Sequence, residues 1–161
     1  MTVIVGIDPG SVRTGFGIIQ SKKNVITHIT HGCINVKGKT IPERLYFLYQ
    51  NINALITTYQ PNEAAIEEVF VQLNAQSALK LGQARGAALI AFAKNNLVFS
   101  EYSARTIKKT AVGYGAASKT QMQYMIQTQL KLTSPIQTDA ADALGIAICH
   151  AQHRAFLPVS L

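Results

Sequence analysis

The chain has 161 residues, a formal net charge of +7 and only eight acidic side chains. This length fits one domain, residues 1–161, that folds around its own core without disulfides or structural metal. The basic balance favours a polyanionic partner, nucleic acid before a membrane surface. Cys33 and Cys149 lack the spacing of a zinc site and fit a reducing cytosol. We find neither a secretory leader nor an apolar run of about 18 residues, so we expect a cytoplasmic protein that does not enter a membrane.

The chain opens with a strand that ends on an acidic residue. Residues 3–7 are apolar and mostly β-branched, which is typical of a strand buried on both faces, and Asp8 follows them. A buried carboxylate needs a cation, a hydrogen-bond network or a metal ion nearby, unless Asp8 only opens the turn through an Asx hydrogen bond. Strands over 15–20 and 25–36 complete a predicted antiparallel meander.

A helix and a second acidic strand come next. Residues 40–59 combine a capping box, an early proline and helical apolar spacing, which predicts an amphipathic helix that packs on the core. The strand predicted over 63–70 carries Glu67 and Glu68, whose side chains must point to opposite faces. We expect Glu67 to point into a cleft, because it ends an apolar segment as Asp8 does; the alternative is that both are solvated at an edge.

Residues 74–95 predict a second long helix with a row of small residues. Ala78, Gly82 and Gly86 follow one another at i, i+4 spacing. Glycine in a helix costs about 0.5 to 1 kcal/mol relative to alanine, so such a row indicates close approach of another backbone. That approach is either internal or across a symmetric dimer, and the sequence does not choose between them. A further strand is predicted over 97–102.

Residues 103–119 hold a cluster of cations and no acid around Gly113-Tyr114-Gly115. The cations are Arg105, Lys108, Lys109 and Lys119. Glycines that allow close backbone approach, together with these charges, suit contacts with phosphates, and Tyr114 could stack on a base. The alternative is a solvated basic loop. Another helix is predicted to begin at the capping box of residues 118–121.

The last predicted helix begins with two acids. Asp139 and Asp142 share one face of its first turn, and the residues after them are apolar or small. The two charges repel unless a cation lies between them, although the helix dipole could account for one of them. We therefore favour metal binding. His150 lies too far along the helix to join such a site, and we expect it and His153 at the surface.

Half of the acidic residues thus lie at strand ends or in the first turn of a helix: Asp8, Glu67, Asp139 and Asp142. Carboxylates prefer hard divalent ions such as Mg²⁺. Two such ions, about 3.5 to 4 Å apart, can activate water and stabilise the leaving oxygen in phosphodiester hydrolysis. An acidic metal site within a basic protein indicates a nuclease.

Four segments, in order along the chain, resemble the RuvC family of bacterial Holliday junction resolvases: residues 6–15, 66–70, 77–86 and 139–144. The resemblance implies an α/β, RNase H-like fold, with a mixed five-stranded sheet flanked by helices. It implies that a homodimer resolves four-way junctions in recombination and DNA repair through paired symmetric nicks that leave 5′-phosphate ends. It also implies two Mg²⁺ ions per subunit, with Mn²⁺ as a substitute, and the branch-migration proteins RuvA and RuvB as partners.

The same resemblance assigns roles to individual residues. The four carboxylates match the metal ligands of the family, Lys108 and Lys119 match its basic residues near the scissile phosphate, and Phe70 matches an aromatic residue that contacts bases. Further DNA contacts are expected at Lys80, Arg85, Arg105, Lys109 and Tyr114. The chain departs from the family pattern over 71–76 and lacks its basic tail, so we expect altered junction contacts but unaltered catalysis.

Three other functions are compatible with parts of the sequence. Gly-Ile-Asp-x-Gly followed by Thr-Gly also resembles the phosphate-binding hairpin of actin- and Hsp70-like ATPases, which need about twice this length. A junction-binding protein without catalytic activity would keep the fold but not the chemistry. An RNase H-like nuclease of the YqgF type would act on RNA rather than on branched DNA.

Overall fold

The computed structural model describes residues 1–23, 25–69 and 74–154. Its single sheet has the strand order β3-β2-β1-β4-β5. The strands are β1 (Thr2–Asp8), β2 (Arg13–Lys22), β3 (Val25–Asn35), β4 (Glu63–Glu67) and β5 (Val98–Tyr102). The first three are antiparallel to one another, whereas β4 runs parallel to β1 and β5 parallel to β4. The expected mixed five-stranded sheet is therefore confirmed.

Five helices cover the two faces of this sheet. They are α1 (Ile41–Tyr59), α2 (Ala75–Lys94), α3 (Ala104–Val112), α4 (Lys119–Gln129) and α5 (Thr138–His153). Alternation along β1 sends Val5 and Ile7 into the core beneath α1 and α2, and Ile4 into the core beneath α3, α4 and α5. Because β1 is buried on both faces, its sequence is almost continuously apolar.

Helix α5 lies across the centre of the sheet, and its backbone approaches the backbone of β1 closely. A Cβ atom on Gly6 of β1 would stand 2.2 Å from the carbonyl oxygen of Ala143, so only glycine permits this contact. The residues of α5 from Ala140 to His150 are all buried, with the exception of Asp142. The close packing places the first turn of α5 beside the end of β1.

The predicted helix caps are present. The side chain of Thr40 accepts a hydrogen bond from the amide of Glu43, and the Glu43 carboxylate accepts one from the amide of Thr40, which completes the capping box of α1. Gln60 ends that helix in the left-handed conformation, at φ 45°. Ser118 and Gln121 form the equivalent box at the start of α4.

One interpretation of the sequence holds for only part of its segment, and one expectation is wrong. Residues 113–118 form a loop around Tyr114, but residues 104–112 are helix α3, because Ile107 and Ala111, at i, i+4 spacing, are buried. His150 is not a surface residue, since only 2% of it is exposed. In the part of the chain that the structure covers, we find no helix that is long and apolar enough to cross a bilayer.

Candidate active site

Two parallel strands bring two acids to the same edge of the sheet. Ile7 of β1 pairs with Ile66 of β4, so the next residues, Asp8 and Glu67, end their strands side by side. Glu67 is partly buried, whereas Glu68 is exposed. The amino-terminal end of α5 reaches the same edge because that helix packs directly on β1 and β2.

A small cavity joins residues from five elements at this edge. It encloses roughly 210 Å³ and is lined by Asp8, Glu67 and Asp142 together with Lys108 of α3 and Lys119 of α4. A larger cleft of roughly 590 Å³ shares Asp8 and Glu67 with it and extends to the first turns of α2, including Asn74 and Ser77. Asp139 does not line either space.

The carboxyl groups in the cavity are electrostatically coupled. Burial, followed by the charges of Asp142, Glu67 and Asp139, raises the pKa of Asp8 to about 8. Burial is also the main cause of the raised pKa of Glu67 and of Asp142, and the nearby Lys108 and Lys119 oppose the shift in both. The site therefore gathers several acidic groups in a partly desolvated space, where negative charge is costly.

Two cations partly compensate for this charge. Arg13 Nη1 lies 3.4 Å from Asp139 Oδ2, and Lys119 Nζ lies 3.8 Å from Asp142 Oδ2. Both cationic side chains are at least half exposed, so these pairs are weak and can be exchanged for another cation.

The turn that follows Asp8 is closed by a buried hydroxyl group. Thr14 Oγ1 accepts a hydrogen bond from the amide of Gly10 and donates one to its carbonyl oxygen, each at 3.1 Å. Within the described ranges the carboxyl group of Asp8 makes no hydrogen bond, so the Asx-turn alternative does not explain this residue. Sequence reasoning assigned no role to Thr14 or to Arg13, although both begin β2 directly after the turn that follows Asp8.

The donor chemistry of the site fits hard divalent cations. Asp8, Glu67, Asp139 and Asp142 supply only carboxylate oxygens, the ligands that Mg²⁺ and Mn²⁺ accept. As the side chains stand, no three acidic, histidine or cysteine side chains among the described residues enclose a common point. In this arrangement Asp139 is paired with Arg13, and Asp142 with Lys119.

The remaining predicted DNA contacts are scattered over the surface. Lys80 of α2 lines a cavity beside the turn at Gly10, and Tyr114 is exposed after α3. Arg85 is largely buried and its guanidinium group is paired with Glu101, so it is engaged within the fold. Arg105 and Lys109 lie on a face of α3 outside the cavity. Phe70 lies outside the described residues.

Carboxylates where parallel strands of a mixed sheet end, with lysines beside them, are the arrangement that the sequence predicts for an RNase H-like nuclease. The family model for crossover junction endodeoxyribonuclease RuvC matches residues 4–150. A RuvC from Photobacterium profundum is 49% identical over 161 residues, covering 99% of this chain and 93% of that protein. A RuvC from Vibrio vulnificus is 50% identical over 151 residues, covering 94% of this chain and 87% of that protein. The chain belongs to the RuvC family.

Solved structures agree with this assignment. The Thermus thermophilus RuvC in complex with a Holliday junction substrate superposes with a TM-score of 0.90 at 26% identity, covering 97% of this chain and 96% of that one. The yeast mitochondrial Holliday junction resolvase Ydc2 superposes with a TM-score of 0.68 at 12% identity, covering 95% of this chain and 83% of that one. It shares the fold.

Proposed function

We propose that this protein resolves Holliday junctions by cutting two of their strands at symmetric positions. The observation that carries the proposal is the cavity where Asp8, Glu67 and Asp142 meet Lys108 and Lys119. Membership of the RuvC family supports it, as does the similarity to a RuvC whose structure contains a Holliday junction substrate. The net charge of +7 provides the attraction for a polyanionic substrate.

Asp8, Glu67, Asp139 and Asp142 would hold the metal, which we propose to be two Mg²⁺ ions, with Mn²⁺ as a substitute. When bound, these ions supply an activated water and stabilise the departing 3′-oxygen. Burial, followed by the charges of the neighbouring carboxylates, raises the pKa of Asp8, and a bound cation would favour the ionised form. Asp139 would exchange Arg13 for metal, and this would free the Arg13 guanidinium for the DNA backbone.

The two lysines of the cavity serve the phosphate. Lys108 and Lys119 extend from different helices into the space that the carboxylates line. A phosphoryl group there gains negative charge on its non-bridging oxygens as water attacks, and ammonium groups already in position stabilise that charge. Lys119 exchanges its contact with Asp142 for one with the phosphate.

A homodimer would supply the second cut. The row of Gly82 and Gly86 does not pack within the fold, because a Cβ atom at either position would meet nothing within 4 Å. On the same side of α2, Leu79 and Ile90 are each 63% exposed. An unpartnered helix face that combines glycines with large apolar side chains suits a second copy of the chain. RuvA and RuvB remain proposed partners on the strength of the family alone.

The test is a gel assay on a labelled, mobile four-way junction, with a linear duplex of matched sequence as control. We expect paired, religatable nicks on the junction alone, in Mg²⁺ and not in EDTA. Asp8→Asn should abolish cutting while the protein still binds the junction. Mg²⁺-dependent cutting by that variant would contradict the assignment. Binding by the wild type without any cutting would point to an inactive binding protein, and preference for RNA to a nuclease of the YqgF type.

A further inference from the structure

A second basic groove lies outside the catalytic cavity, between α3 and the last turn of α5. It encloses roughly 570 Å³ and is lined by Arg105, Thr106, Lys109, Thr110, Gln152 and His153. None of these residues lines the cavity that contains the carboxylates. The groove also contains no acidic side chain.

The two cations of this groove are neighbours that lack acidic partners. In the part of the chain that the structure describes, neither Arg105 nor Lys109 forms an ion pair, whereas Arg13, Arg85 and Arg154 each do. Arg105 and Lys109 are separated by one helical turn, so their charges project from the same side of α3. Two neighbouring cations without a counter-charge attract an anion.

The groove is held in place by its surroundings. The side chain of Arg105 packs against Gly115, where a Cβ atom would stand 2.5 Å from Arg105 Cγ. Glycine at this position therefore leaves room for the stem of the arginine. On the opposite wall, His153 Nδ1 donates a hydrogen bond of 2.9 Å to the carbonyl oxygen of Cys149, which fixes the ring. The amide of Gln152 adds a neutral donor.

We propose that this groove binds a backbone phosphate of the DNA strand that is cut, a few nucleotides from the phosphate that occupies the catalytic cavity. Lys108 belongs to the cavity, and its neighbour in sequence, Lys109, belongs to the groove. Helix α3 therefore presents a cation to the cavity and another to the groove, because consecutive residues of a helix point about 100° apart around its axis. Phosphates follow one another along a strand at an axial spacing of about 3.4 Å, so one strand can reach both. This inference rests on the proposed function.

The first experiment compares junction binding by two double variants in EDTA over a range of salt concentrations. Arg105→Ala with Lys109→Ala should weaken binding about tenfold and reduce the slope of log K against log salt by about 1 to 2. The control, Lys22→Ala with Lys94→Ala, removes the same charge from exposed positions near the end of the sheet opposite Asp8. Arg105→Lys with Lys109→Arg keeps the charge and should restore the slope.

The second experiment locates the contact. Single phosphates of the junction are replaced in turn by uncharged methylphosphonates, and binding of each substrate is measured. We expect the wild type and the control to lose affinity at a position within a few nucleotides of the cut, and the Arg105→Ala, Lys109→Ala variant to be insensitive there. Identical maps for all the proteins would overturn the inference while leaving the proposed function intact. Failure of the wild type to bind junctions at all would instead overturn the proposed function.

Discussion

Gly15 of β2 lies directly beneath the first turn of α5: a Cβ atom there would stand 1.9 Å from the carbonyl oxygen of Asp139. The contact joins a strand near the start of the chain to a helix near its end. Gly15 also pairs with Asp8 across the β1–β2 ladder. One glycine therefore sets the approach of a carboxylate on α5 to the carboxylate on β1.

Substituting Gly15 with alanine should displace the first turn of α5 and reduce junction cutting by about 100-fold or more, since a shift of about 1 Å at an active site has this effect. Gly32→Ala is the matched control, because the new Cβ atom would meet only the ring of Phe16, a side chain that can move. Cleavage rates and thermal unfolding of both variants check the prediction. Equal activity of the two variants would contradict it.

The metal-free protein should lose stability as the pH rises toward 8. Between its ordinary pKa of 3.8 and its raised pKa of about 8, Asp8 keeps its proton in the folded protein but loses it in the unfolded chain. Folding therefore binds a proton in this range, and stability falls with increasing pH. Asp8→Asn removes the effect, so in EDTA it should melt above the wild type at pH 8 but not at pH 4.

Each kcal/mol of difference in the free energy of unfolding should shift the melting temperature by roughly 2 to 4 °C in a chain of this length. Thermal melts followed by circular dichroism at pH 4, 6 and 8 measure it, with Glu68→Gln as a control for loss of an exposed carboxylate. Added Mg²⁺ should stabilise the wild type and leave Asp8→Asn unchanged. An Asp8→Asn variant that melts at or below the wild type at pH 8 without metal would refute the coupling.

The two adjacent glutamates of the β4 edge provide a matched pair for catalysis. Glu67 lines the cavity and Glu68 is exposed. Glu67→Gln removes a negative metal ligand and should slow Mg²⁺-dependent cutting by at least about 100-fold, because even outer-shell changes at metal sites cost about 10- to 100-fold. Glu68→Gln should keep most of the wild-type activity, because the exposed Glu68 carboxylate does not line the cavity that holds Lys108 and Lys119. A single-turnover assay with saturating protein separates the two, and equal losses would argue against the predicted site.

The exposed face of α2 should determine the oligomeric state. Ile90→Glu places a charge where we propose that two copies meet, and burying it without a partner costs several kcal/mol. We expect the variant to sediment as a monomer and to nick single strands without pairing the cuts. Tyr124→Glu on α4, where the tyrosine is 67% exposed, is the control and should stay dimeric. A dimeric Ile90→Glu variant would place the interface elsewhere.

A buried hydrogen-bond chain should make stability sensitive to mild acid. The Nε2 atom of His150 donates to Glu63 Oε2 at 2.7 Å, and its Nδ1 atom lies 2.8 Å from the hydroxyl of Tyr102. Burial lowers the pKa of His150 below 6.5, so the unfolded chain takes up a proton that the folded protein does not. The contribution of His150 to stability should therefore fall as the pH drops below 6.5, opposite in sign to the contribution of Asp8.

His150→Phe should cost about 1 to 3 kcal/mol at pH 7, because it leaves the buried Tyr102 hydroxyl without its partner, while Arg154 still donates to both oxygens of Glu63. The variant should also lose less stability than the wild type between pH 7 and pH 5.5. Urea unfolding at both pH values measures the two effects. A variant with the wild-type pH dependence would show that His150 does not carry it.

Local patterns predicted most elements because the forces behind them act within a few residues. The capping box of α1 and the apolar run of β1 depend on neighbours in sequence, and both occur where predicted. Helix α3 could not be predicted within the basic segment, because exposed cations and glycine are typical of a loop. The buried pair Ile107 and Ala111 shows the helical period over only one turn.

The sequence by itself determined the strand that ends in Asp8, the strand that ends in Glu67 and the acidic start of the last helix. Only the tertiary structure decided that these three ends meet, that Arg13 pairs with Asp139 and that His150 is buried. The physical reason is that each of these relationships depends on how closely α5 packs on the sheet. That distance is fixed by glycines and side chains more than one hundred residues away along the chain.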